Sequence, residues 1–118
     1  MQYMLLIYGD EKSWATLPAD QLKKMYADYG TFTDALVTSG AMRAGSELSP
    51  LATATTVRVR NGKVQATDGP FAETREQLGG YYIIEVDHLD EAIKWAAKIP
   101  SAVGGSIEIR PLLAEQPA

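Results

Sequence analysis

The sequence has no cysteine and a single histidine, His88, among its 118 residues. Without cysteine there are no disulfides, thiolate nucleophiles or sulfur-ligated metals, which fits a reducing compartment. One histidine supplies too few ligands for a transition-metal site, and no tight carboxylate spacing indicates Mg²⁺. We therefore expect no metal and no cofactor, and we interpret His88 as a helix cap or surface residue.

The chain also lacks a long apolar run and a basic stripe. Its first apolar segment, Tyr3–Tyr8, is far too short to span a membrane, and it has neither the basic start nor the cleavage site of a signal peptide. The 15 acidic and 11 basic residues give a net charge of −4, and the basic residues are scattered, whereas nucleic-acid binding requires them on one face. These features predict a cytoplasmic protein that binds neither membranes nor nucleic acids.

Apolar residues make up 46% of the chain, which is enough for one domain with its own core. We assign residues 1–113 to a single domain and residues 114–118 to a C-terminal tail. Segment Glu11–Thr16 is predicted to be a polar connection carrying an exposed Trp14.

The hydrophobic pattern predicts four sheet strands, two helices and an inserted hairpin. The strands are Tyr3–Tyr8, Ala41–Leu48, Gly80–Val86 and Ser106–Arg110, the helices are Pro18–Ser39 and Leu89–Ile99, and the hairpin strands are Ala54–Arg60 and Lys63–Thr67. Asn61-Gly62 is the strongest two-residue hairpin signal. Without the hairpin the order is βαββαβ, so the predicted class is α+β and ferredoxin-like, with both helices on one face of an antiparallel sheet.

The inner stripe of the first helix is predicted from three- and four-residue spacing. It consists of Leu22, Met25, Tyr26, Tyr29, Phe32, Leu36 and Val37. Segments Tyr3–Tyr8 and Tyr81–Val86 are apolar on both faces, whereas a sheet with one wet face alternates apolar and polar residues. Because two helices cover only one face, we expect a second copy to cover the other, as a symmetric homodimer. The alternative is that the hairpin folds back over its own sheet.

The run from Thr67 to Tyr82 is where we expect chemistry. Asp68-Gly69-Pro70-Phe71 is first of all a turn, with Phe71 anchoring the loop in the core. In the functional interpretation, Asp68 or Glu73 is a general base whose pKa is raised by partial burial.

Other polar and aromatic residues are candidate ligand contacts near this run. They are Arg43, Glu47, Arg75, Tyr8, Tyr82 and Phe71. Arg43 and Glu47 lie four apart in a predicted strand and form either a polar cluster inside a pocket or a salt bridge at its rim. Arg43 or Arg75 would hold an anionic group. Tyr8 and Tyr82 either line the same cavity or pack in the core or the dimer interface.

The stretch Asp68–Tyr82 resembles the signature of the DGPF branch of the YCII-related family. The match extends through Tyr3–Glu11, Thr53–Arg58, Val86–Ala92 and Gly105–Pro111. This resemblance implies a ferredoxin-like dimeric α+β barrel. Some relatives occur beside, or fused to, extracytoplasmic-function sigma factors, which implies a link to signalling.

A more distant YCII-related enzyme is a dehydrochlorinase that acts on a chlorinated hydroquinone through a proposed His–Asp pair. Its histidine lies in an Arg-Pro-Ala-His motif, where this chain has Leu17-Pro18-Ala19-Asp20, so the Arg and His are absent. Two hypotheses follow. The chain is a homodimer with a pocket between sheet and first helix that binds a small organic molecule and uses carboxylate acid–base chemistry, or it is a non-catalytic ligand-binding or interaction module linked to sigma-factor signalling.

Overall fold

The computed structural model describes residues 1–114, and within them six strands and three α-helices follow one another. They are β1 (Gln2–Gly9), α1 (Glu11–Ala15), α2 (Ala19–Thr38), β2 (Met42–Glu47), β3 (Thr55–Arg60), β4 (Lys63–Asp68), β5 (Gln77–Glu85), α3 (Leu89–Ala97) and β6 (Ser106–Pro111). Single 3₁₀ turns lie at Leu51–Thr53 and Pro100–Ala102. Of the predicted tail, residues 115–118 lie outside the described residues.

The main sheet has the strand order β2-β5-β1-β6, and every neighbouring pair is antiparallel. The predicted α+β class with a ferredoxin-like element order is therefore confirmed. At the centre of the sheet, Leu5 lies opposite Tyr82 on one side and Ile109 on the other.

One face of this sheet packs against α2 and α3. The core consists of Tyr3, Leu5, Ile7, Phe32, Leu36, Ala41, Tyr82, Ile84, Val86, Ala92, Ala96 and Ile99. Leu5, Leu36, Ile84 and Ile99 are the largest side chains that are fully buried, and burial of such a side chain contributes about 1.5–3 kcal/mol. The alternate residues of β1 and β5, such as Leu6 and Ile83, are only partly buried.

The predicted inner stripe of α2 is buried only in its C-terminal half. Phe32 and Leu36 are buried, whereas Tyr26 is 53% exposed and Leu22 is 37% exposed. Val37 is 57% exposed, so its assignment to the inner face is wrong. The helix contacts the core at its C-terminal half and leaves space beside the sheet at its N-terminal half.

The segment predicted to be a polar connection contains a short helix, α1, and its tryptophan is partly buried rather than exposed. Asp10 starts this helix because its carboxylate accepts a hydrogen bond from the backbone N–H of Lys12 at 3.0 Å. The helix places the indole of Trp14 directly against Gly9 and Gly79. A Cβ atom at either glycine would overlap the ring, so the absence of side chains there makes room for it.

The hairpin β3–β4 forms a separate two-stranded sheet, which we call the arm (Thr55–Asp68). Its turn is confirmed, since Asn61 and Gly62 have φ values of 52° and 74°. Val57, Val59 and Val64 share one face of the arm and are 58–73% exposed.

The arm projects from the body of the protein. The radius of gyration is 16.5 Å, compared with roughly 13.5 Å for a compact chain of this length. The smallest extent is 19 Å, which has room for one sheet and one helix layer. The alternative in which the hairpin covers its own sheet is therefore not the arrangement observed.

Three smaller expectations need correction. Phe71 does not anchor its loop in the core but is 78% exposed. Strand β5 begins at Gln77 rather than Gly80, because a bulge opposite Ile7 and Tyr8 lets pairing continue past the two glycines. The last strand continues to Pro111, and Leu112 N–H donates to Gln2 O at 2.9 Å.

The contact between Trp14 and Gly79 predicts an asymmetric response to alanine. Gly79→Ala should destabilise the protein by about 1–3 kcal/mol, because the new methyl group overpacks against the indole. Gly30→Ala should stabilise it by about 1 kcal/mol, because Gly30 lies inside α2 with open space around it. Urea unfolding of the two variants tests this, and a neutral Gly79→Ala would contradict the packing described.

Candidate functional site

A cavity of about 530 Å³ lies between the N-terminal half of α2 and the β2–β5 side of the sheet. Its size is within the 300–1,000 Å³ typical of small-molecule sites. Trp14 and Leu17 contribute to its wall from the segment before α2, and the 3₁₀ turn after α3 contributes Ser101. The cavity exists because α2 is buried against the sheet only beyond Tyr29.

Three tyrosine hydroxyls meet the cavity, and each has a hydrogen-bond partner. The Tyr26 hydroxyl donates to Glu47 Oε1 at 2.9 Å. The hydroxyls of Tyr29 and Ser101 are 2.6 Å apart, and those of Tyr82 and Thr33 are 2.8 Å apart. In both hydroxyl pairs either oxygen can be the donor, so these four groups can reorient toward a ligand.

Two of these tyrosines have raised pKa values. The hydrogen bond to the Glu47 carboxylate, with its negative charge, raises the pKa of Tyr26 above the usual 10.0. Burial raises the pKa of Tyr29, and the bond with Ser101 partly offsets that effect. Both phenols therefore stay protonated at neutral pH.

The charged residues on the cavity wall are both acidic. Glu11 and Glu47 line it, and no lysine, arginine or histidine of residues 1–114 does so. Both carboxylate oxygens of Glu11 accept from the backbone N–H of Leu51, at 3.2 and 2.9 Å. Glu47 is exposed at the end of β2 and accepts the bond from Tyr26.

Two of the eight residues predicted for the site, Glu47 and Tyr82, line this cavity. Tyr8 alternates with the buried Ile7 along β1, so it belongs to the opposite face of the sheet.

Arg43 lies at a bulge of β2 between Met42 and Ala44. Its Nη1 donates to the carbonyls of Gly40 and Met42, at 2.8 and 3.0 Å. The bulge breaks the alternation that would have put Arg43 beside Glu47, and within residues 1–114 the two form no ion pair.

The remaining predicted residues belong to the arm and the loop after it. Asp68 ends β4, while Phe71, Glu73 and Arg75 lie in the loop of residues 69–76. All four are exposed, and none of them lines the cavity.

Sequence reasoning missed Trp14, Tyr26, Tyr29 and Ser101 as parts of the site. Tyr26 and Tyr29 were assigned to the core because their spacing fits the inner face of α2. A signal was present, since a tyrosine facing a core requires a partner for its hydroxyl. The apolar side chains of a buried helix face supply no such hydrogen-bond partner.

Two kinds of feature are absent from residues 1–114. No three histidine or acidic side chains come together as metal ligands in this range. None of its helices is both long enough and apolar enough to cross a membrane.

The bond between Tyr26 and Glu47 predicts a measurable titration. Glu47→Gln should lower the pKa of Tyr26, because it removes the negative charge that favours the protonated phenol. Ultraviolet titration measures this pKa when each protein is compared with its own Tyr26→Phe version, because the difference between the two curves is the signal of Tyr26. Asp34→Asn, which removes a carboxylate from an exposed position of α2, should leave that pKa unchanged, and an equal shift in both variants would contradict the assignment.

The chain is similar to known proteins over almost its whole length. The YCII-related domain matches residues 1–115. An uncharacterized protein of Rhizobium meliloti (strain 1021) is 34% identical over 119 residues, which cover 99% of this chain and 96% of that protein. On this evidence the chain belongs to the YCII-related family.

Proposed function

We propose that this protein is a homodimer that binds a small organic molecule in the cavity beneath α2. The observation that carries the proposal is the 530 Å³ cavity itself, whose wall combines aromatic surface with hydroxyls. Ligand sites have this composition, in which apolar walls supply affinity and a few polar groups fix orientation.

The structure favours ligand binding over a reaction in which Asp68 or Glu73 is the catalytic base. Both are exposed and outside the cavity, so a base at either position would act on a molecule held elsewhere. A second candidate function, proton transfer, is favoured by the Tyr26–Glu47 pair, because a phenol 2.9 Å from a carboxylate is placed to exchange a proton.

The run Asp68–Tyr82 supports placing the chain in the DGPF branch of the family. Its Phe71 is 78% exposed, and an exposed large aromatic side chain favours an interaction role for the loop of residues 69–76. Resemblance to this branch implies a partner in a sigma-factor pathway. We assign the loop of residues 69–76 as the surface that contacts this partner.

The binding proposal predicts that filling the cavity abolishes ligand binding. Leu22 lines the cavity and is 37% exposed, so Leu22→Trp should occupy the space without disturbing the core. Val37→Trp is the matched control, because Val37 is on the same helix, is 57% exposed and is outside the cavity wall. A thermal-shift screen against small phenols and amines should give stabilising compounds for the parent and for Val37→Trp only. Equal responses from both variants would refute binding in this cavity.

The dimer proposal is supported by the sheet face opposite the helices. Met4, Leu6 and Ile83 alternate with buried residues along β1 and β5, so they belong to that face. The 19 Å thickness of the protein leaves no second helix layer for it. The arm adds a further bare apolar surface, and a lone two-stranded hairpin is only marginally stable in water.

Substitution of Leu6 tests the dimer. Light scattering should give the parent a mass of twice 12.8 kDa. Leu6→Lys should be a folded monomer, because a dimer of this variant would bury two unpaired ammonium groups at the two-fold axis. Leu89→Lys, at a 48% exposed position of α3, should remain a dimer. A parent protein at 12.8 kDa at micromolar concentration would refute the proposal.

A further inference from the structure

We propose that the ligand of the cavity is an organic cation with an apolar or aromatic body. This inference rests on the proposed ligand-binding function and names its substrate class.

The charges on the wall have one sign. Glu11 and Glu47 line the cavity together with no basic residue. The strongest hydrogen bonds to a carboxylate or phosphate come from cationic donors, and none of the basic side chains of residues 1–114 reaches this wall. The structure therefore disfavours the anionic ligand expected from Arg43 or Arg75.

The two acidic groups differ in how they are used. A single donor, the backbone N–H of Leu51, is shared by both oxygens of Glu11. Glu47 accepts one hydrogen bond, from Tyr26 to Oε1, among the described residues. Glu47 is exposed, and its Oε2 accepts no hydrogen bond within residues 1–114, so it is the carboxylate with an oxygen open to a ligand.

The charge of Glu47 separates a cationic ligand from a neutral one. A molecule that fills the cavity removes water from this carboxylate, and a charge that loses water without gaining a partner costs free energy. An ammonium group replaces the lost water with an opposite charge, whereas an alcohol replaces it with one neutral hydrogen bond.

Aromatic side chains add to the same preference. Trp14, Tyr26, Tyr29 and Tyr82 all line the cavity, and the electron-rich faces of such rings attract ammonium groups within about 6 Å. These aromatic residues beside one open carboxylate match the recognition of an amine joined to an apolar group.

Calorimetric titration with three probes that share one phenyl body tests the inference. The probes are phenethylamine, phenethyl alcohol and hydrocinnamate, which are cationic, neutral and anionic at neutral pH. The parent should bind the amine about tenfold more tightly than the alcohol, with hydrocinnamate weakest. Glu47→Gln should weaken binding of the amine far more than binding of the alcohol, so that most of the preference for the amine is lost.

Asp34→Asn controls for net charge. It makes the same change in formal charge at an exposed position of α2 outside the cavity wall, and it should keep the preference for the amine. Equal binding of amine and alcohol by the parent, or tighter binding of hydrocinnamate, would overturn the cation inference while leaving the pocket in place. No binding of any probe by the parent would overturn the pocket proposal and this inference with it.

Discussion

The fold depends on how α2 is buried against the sheet at one end only. Phe32 and Leu36 pack among Leu5, Ile84 and Ile99, which together make up much of the fully buried apolar surface. Burial on this scale holds the C-terminal half of the helix in place. The N-terminal half makes no comparable contribution, so its tyrosines can line a cavity without loss of the core.

The polar groups of the cavity are consistent with this division. A tyrosine in a close-packed core would need a fixed hydrogen-bond partner, and here each hydroxyl finds one on a different element. Glu47 comes from the end of β2, Thr33 from α2 itself and Ser101 from the turn after α3. The partners therefore cross-link the elements around the cavity, and they remain accessible because the cavity separates the helix from the sheet.

The sequence predicts the framework of this protein better than its site. Alternation and spacing identify the strands and the two long helices, and Asn61-Gly62 identifies the hairpin, because these signals are local. Whether an apolar stripe is buried along its whole length is not a local property. The stripe of α2 looks uniform in sequence, yet Phe32 is 5% exposed and Tyr26 is 53% exposed.

The limits of local sequence patterns also explain why only two of the eight residues predicted for the site line the cavity. Glu47 and Tyr82 reach the cavity because regular strand alternation places them, whereas Arg43 does not, because a bulge interrupts that alternation. The run after Asp68 was predicted to be a site because of its charges. Charged residues in an exposed loop are common whether or not they carry function. Trp14 shows the reverse case, in which a residue in a polar segment lines the site because two glycines far apart in sequence leave space for its ring.

Strand β5 connects the two proposals and also keeps them separable. Its residues alternate between the helix face, where Tyr82 lines the cavity, and the opposite face, where Ile83 lies. Because Ile83 and Tyr82 lie on opposite faces, we expect a substitution at Ile83 to affect the proposed self-association and one at Tyr82 to affect the proposed ligand binding. Backbone hydrogen bonds to β1 and β2 hold both sets in register, which means that only a change in the strand itself would affect the two functions together.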